Sequence, residues 1–91
     1  MNNIVFSPSG WEEYLEWQLE DRKTLRRINQ LLKDVSRSPF EGIGKPEALK
    51  YCPGYWSRRI DEKNRLVYAV TSDDDILVLS CKGHYKDLKS L

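Results

Sequence analysis

Histidine occurs once in these 91 residues and cysteine twice, and that scarcity excludes much. A metal centre wants clustered His, Cys or Asp side chains, and His84 with the distant Cys52 and Cys81 fits no ligand spacing. The cysteines are expected as free thiols of a reducing compartment, the cytoplasm, rather than as a bridge. No apolar run approaches the ~20 residues that cross a bilayer, and MNNIVFSPSG has no basic start followed by a long apolar stretch. No GxGxxG, P-loop or GxSxG occurs. The adjacent acids of SDDD (72–75) lack the rest of a calcium loop and are expected at a hairpin tip. With no repeat and no low-complexity tract, residues 1–91 are expected to form one small domain, with 86–91 as a short tail.

What is present is a divided charge. The net value of +1 hides a first segment, residues 1–21, with five acids and no base. Residues 22–60 then carry ten Lys/Arg against three acids. Such a segment either forms a surface that attracts polyanions or is neutralised by its acidic neighbours. Helical periodicity favours the first. Leu25, Ile28, Leu31, Leu32 and Val35 fall on one face of a helix, and Arg22, Lys23, Arg26, Arg27, Lys33 and Arg37 on the other. Six like charges on one face repel one another, so a polyanionic partner explains them better than stability does.

An earlier helix is expected from Ser9 as N-cap, with Glu12 completing a capping box. Its Trp11, Tyr14, Leu15 and Gln18 share a face, while Trp17 points elsewhere and is a candidate partner contact. NIVF (3–6) is a first strand. SPFEGIGKPEALKYCPG (38–54) is largely loop, with Pro46 and Glu47 placed to open a brief helical turn. Three strand-like runs follow, YWSRRI (55–60), RLVYAVT (65–71) and ILVLSC (76–81), joined by linkers short enough for hairpins. The order β-α-α-β-β-β implies an α+β fold, two N-terminal helices packed on an antiparallel-rich sheet. Alternation sets Leu66, Tyr68 and Val70 against the helices and Arg65, Val67 and Ala69 on an open face.

Several polar groups stand where packing does not demand them: Lys45, Glu47, Lys50, Arg58, Arg59, Arg65, His84 and Tyr85. A carboxylate, an imidazole and fixed cations suffice to cleave RNA without a metal. One group takes the 2′-hydroxyl proton, another protonates the 5′-oxygen, and cations stabilise charge on phosphorus. Each residue also has a plainer reading. Glu47 could complement a helix dipole, Arg65 could pair with Asp61 or Glu62, and a lone His in an end segment is more often without a role. Composition and spacing alone leave a nuclease as a minority reading.

The segments SGWEEYLEWQ, RRINQLLKDVSRSPFEG, PFEGIGKPEALK, YWSRRIDEKNRLVYAV and CKGHY, in that order, resemble the YoeB toxins of the RelE superfamily. The resemblance runs from about residue 4 to 85. It implies a compact microbial-ribonuclease-like (RelE-like) fold and a ribosome-dependent mRNA endonuclease acting in the A site. It implies Glu47 as general base, Arg65 as phosphate-stabilising cation and His84 as general acid, with Lys50, Arg59 and Tyr85 in support. The basic helix face would then meet the ribosome. No cofactor is implied, and the products would be a 2′,3′-cyclic or 3′-phosphate and a 5′-hydroxyl. Implied partners are a YefM-like antitoxin, operator DNA through the antitoxin complex, and a second copy of the chain. A gyrase-poisoning toxin of the ParE branch and an inactive RNA- or antitoxin-binding module are the alternatives. KDLKSL after Tyr85 extends past the family's usual end.

Overall fold

The computed structural model describes residues 2–83, and His84, Tyr85 and the tail lie outside the described residues. Strand β1 (Ile4–Phe6) leads into helices α1 (Pro8–Glu20) and α2 (Arg22–Arg37), and four strands follow: β2 (Glu47–Ala48), β3 (Tyr55–Arg59), β4 (Arg65–Val70) and β5 (Ile76–Ser80). The sheet order is β1-β5-β4-β3-β2. β1 runs parallel to β5 and every other pair is antiparallel. The α+β architecture and the pair of helices on an antiparallel-rich sheet are as the sequence predicts.

The second helix forms as its pattern requires. Asp21 caps it, its carboxylate accepting from the amides of Lys23 and Thr24, and Ile28, Leu31, Leu32 and Val35 are buried. They meet Leu66, Tyr68, Ile76 and Val78 of the sheet in the core, with Leu25 and Val70 at its margin.

Three expectations are corrected. The cap of α1 is Ser7, not Ser9: its Oγ accepts from the amide of Gly10, and Pro8 takes the first helical position, where no N–H is needed. Glu12 is exposed and closes no capping box. Trp17 is no outward contact. It is 7% exposed and its Nε1 donates to the carbonyl of Cys81 at 2.9 Å. The inward stripe of α1 is Gly10, Glu13, Tyr14 and Trp17, spaced i, i+3, i+4, i+7, whereas Trp11 and Leu15 are exposed. A glycine and a carboxylate on that stripe hide it from any search for apolar periodicity. Finally, Glu47 begins a short strand rather than a helical turn. Ser57 and Trp56 of β3 offer that strand its pairing partners, and Pro46, lacking an N–H, suits the start of an edge strand.

The bulge in β5 shapes the end of the sheet. Val78 faces Tyr68 and Ser80 faces Val67, which leaves Leu79 as an extra residue. Such a bulge bends a strand and redirects its end. Helix α1 presses directly on it: a Cβ on Gly10 would lie 2.5 Å from the carbonyl oxygen of Val78.

Candidate active site

Register places the candidate residues on one side of the sheet. Leu66 and Tyr68 face the helices, so Arg65 and Val67 face away. Arg59 lies opposite Arg65, Ser57 opposite Val67, and Glu47 opposite Ser57. Strand spacing of about 4.8 Å and rise of about 3.4 Å put the Cα of Glu47 about 12 Å from that of Arg65, two strands away. This face is not bare, however. Ser57 and Val67 at its centre are buried and Arg65 is half-buried, while Glu47, Lys50 and Arg59 at the margin are exposed.

Like charges on directly opposite residues of adjacent strands disfavour each other, as at Arg59 and Arg65. Arg65 is held in that unfavourable position by its own hairpin. Its Nη1 donates to the carbonyls of Asp61 (2.6 Å) and Asn64 (3.1 Å). Among the described residues it makes no ion pair with the carboxylates of Asp61 or Glu62, and its tie to Asp61 runs through the backbone carbonyl. Asp61 instead organises the turn, accepting from the amides of Lys63 and Asn64 and from the Asn64 side chain. Burial pushes its carboxyl up, but the hydrogen bonds from Asn64 and Lys63 and the charge of Arg65 leave it below the usual value.

Arg58 leaves the list of candidate site residues. It is wholly buried on the helix side, paired with Asp34 of α2. Its remaining donors go to the carbonyls of Ser38, Glu41 and Ile43 and to the Tyr68 hydroxyl. That hydroxyl in turn donates to the carbonyl of Pro39. The Asp34 carboxylate also accepts from the amide of Ile43, and Arg58 holds its carboxyl below the usual range against the opposing effect of burial. One buried cation thus fixes the loop 38–44, and the carbonyl of Gly44 then accepts from the amide of Arg59. The chain enters β2, and Glu47, from a fixed point.

The segment before His84 is tied to the same site. The backbone amide of Arg65 donates to the carbonyl of Gly83 at 2.9 Å, and the amide of Gly83 donates to Oδ1 of Asn64 at 2.8 Å. Gly83 has φ +84°, a left-handed conformation that favours glycine. The residue preceding the single histidine is therefore bonded to the backbone of the candidate phosphate-binding arginine.

On α2, Arg22, Lys23, Arg26, Lys33 and Arg37 are exposed. Arg27 is half-buried and donates to the carbonyl of Arg59, bracing the strand beneath. Among the described residues no group of three or more His, Cys, Asp or Glu could hold a metal ion, and both cysteines are free thiols. The Cys81 thiol is pushed up to about 12 by burial and by Glu13 and Glu16. No helix among these residues is long and apolar enough to cross a membrane.

Two helices on a five-stranded, mostly antiparallel sheet is the architecture of RelE-type toxin domains, the class to which its structural neighbours belong. Comparison with known proteins narrows it. Residues 6–85 match the profile of the YoeB-like toxin of bacterial type II toxin–antitoxin systems. Toxin YoeB of Escherichia coli K12 is 52% identical over 83 residues, covering 90% of this chain and 98% of that protein. A YoeB/ParE toxin from Agrobacterium tumefaciens superposes with a TM-score of 0.87 at 42% identity, over 91% of this chain and 99% of the other. YoeB of Staphylococcus aureus has been solved as a dimer (TM-score 0.83, 49% identity, 92% and 98% covered). It has also been solved in complex with YefM (TM-score 0.83, 48%, 93% and 99%). The chain belongs to the YoeB-like toxins of type II toxin–antitoxin systems.

Proposed function

We propose that this toxin is an endoribonuclease that cuts mRNA in the A site of the ribosome. The observation that carries the reading is the register that sets Arg59 and Arg65, whose like charges repel, opposite each other on β3 and β4, with the exposed Glu47 on the adjoining edge strand β2. An anion seated between the guanidinium groups relieves that repulsion, and a phosphodiester is the anion that the nearby carboxylate could act on. Glu47 takes the proton of the 2′-hydroxyl, and the freed O2′ attacks phosphorus. The P–O5′ bond breaks, and His84 as imidazolium protonates the departing O5′. The products are a 2′,3′-cyclic phosphate, which opens to a 3′-phosphate, and a 5′-hydroxyl. Arg65, Arg59 and Lys50 neutralise the charge that develops on the phosphoryl oxygens. Tyr85 shapes the site or stacks on a base. No metal ion or other cofactor takes part.

The exposed arginines and lysines of α2 dock on ribosomal RNA, which brings the codon to the site. As in the Staphylococcus aureus relative, a YefM-type antitoxin and a second copy are the expected protein partners. Operator DNA would be reached through the antitoxin complex, and the setting is cytoplasmic.

The test is direct. Ribosomes programmed with a defined mRNA are incubated with the protein and EDTA, and 5′ ends are mapped by primer extension. A cut within the A-site codon, abolished in folded His84→Gln and reduced at least ~100-fold in Glu47→Gln, is the expected result. Intact mRNA alongside growth arrest in cells would move the target to gyrase, the ParE-type activity.

A further inference from the structure

Where β5 ends, its ladder ends too, and the next residues would leave the sheet with free amides. Instead every residue from 80 to 83 is gripped. Oε1 of Glu13 accepts three hydrogen bonds, from the Ser80 hydroxyl (2.9 Å), the Cys81 amide (2.8 Å) and the Lys82 amide (3.0 Å). Trp17 Nε1 holds the Cys81 carbonyl. Lys82 lies over the Trp17 ring and bridges Glu16 and Glu20. From the opposite side Asn64 holds the Gly83 amide. Upstream, Ser7 and Ser9 both donate to the carbonyl of the bulged Leu79. A half-buried carboxylate facing three donors is more than packing requires, since the donors belong to one short exit segment.

We propose that Glu13 and Asn64 are positioning residues for the cleavage reaction. From α1 and from the β3–β4 hairpin they fix the chain from the end of β5 to Gly83, the residue bonded to His84. The proposal rests on the endoribonuclease reading and adds two residues to it. Neither touches RNA. A general acid works only within hydrogen-bond reach of the leaving oxygen, and a misplacement of about 1 Å costs on the order of 100-fold in rate.

The experiment is single-turnover cleavage of mRNA on programmed ribosomes, with rate and half-saturating toxin concentration measured separately. Glu13→Ala and Asn64→Ala are expected to lower the maximal rate roughly 10- to 100-fold and to leave half-saturation within about twofold. Glu13→Gln, which keeps an acceptor oxygen, recovers most of the loss. Circular dichroism and melting identify the folded variants. Should Glu13→Ala not fold, Asn64→Ala, whose side chain lies in a surface hairpin, carries the test. Rates within about twofold of the parent in folded variants overturn the positioning role alone. So does a loss that appears in half-saturation rather than rate, or one that Glu13→Gln fails to relieve. A parent chain that leaves the mRNA whole overturns the nuclease reading, and this proposal with it.

Discussion

Arg58 and Arg59 are neighbours in one strand with opposite fates. The first is buried against Asp34 and three carbonyls, and the second is exposed opposite Arg65. Nothing in the dipeptide separates them. The face each takes follows from the register of β3 on β4, which pairs Arg58 with the core residue Leu66. Removing the partner of a buried charge leaves it uncompensated, so Asp34→Asn should cost about 3 kcal/mol, read as a fall in the urea midpoint. The same variant frees the loop before Glu47, and cleavage should fall further than the folded fraction does. Arg65→Ala, by contrast, should keep its melting temperature within a few degrees while the cleavage rate drops at least ~100-fold, measured on programmed ribosomes. Glu47 and Arg65 stand out in the sequence as polar groups that packing does not demand, and the resemblance to YoeB toxins supplies the roles proposed for them. Glu13 does not stand out, because a glutamate in the first turns of a helix already has a sufficient reason to be there.

At the scale of elements, the two helices show how far periodicity reaches. Helix α2 has a continuous apolar face, and the burial of Ile28, Leu31, Leu32 and Val35 follows its pattern directly. Helix α1 packs through Gly10, Glu13 and Trp17 on β5, a stripe chosen by close approach and hydrogen bonds rather than by hydrophobicity. Gly10→Ala should therefore destabilise the fold by roughly 1–3 kcal/mol, since the added methyl meets a backbone carbonyl that cannot turn aside. Calorimetry or a denaturant titration reads this. On the outer face of α2, changing Arg22, Lys23, Arg26 and Lys33 to Gln should leave the circular dichroism spectrum unchanged. Ribosome affinity should fall, and the slope of log affinity against log salt should flatten by about 0.7–0.9 for each phosphate no longer neutralised.

For the whole molecule, acid is the informative perturbant. Asp34, Asp21 and Asp61 all have carboxyls held below their ordinary value of 3.8, through Arg58, Thr24 and Asn64 respectively. A lowered folded value means that the unfolded chain binds protons more readily. The stabilisation is fully present above 3.8 and is lost as pH falls through the lower folded values. The melting temperature should thus hold between about pH 7 and 5 and decline steeply below about pH 4, less so in Asp34→Asn.

Taken alone, the sequence determined the fold class, the two helices and the three long strands. These depend on local periodicity, on turn chemistry and on the run of segments shared with YoeB toxins. The tertiary structure decided which arginine is structural, that Trp17 is core, that Glu47 rides on a strand, and that α1 grips the end of β5. Each of these depends on which strand lies beside which and in what register. Such choices are settled by contacts between residues tens of positions apart, and no window along the chain contains both partners.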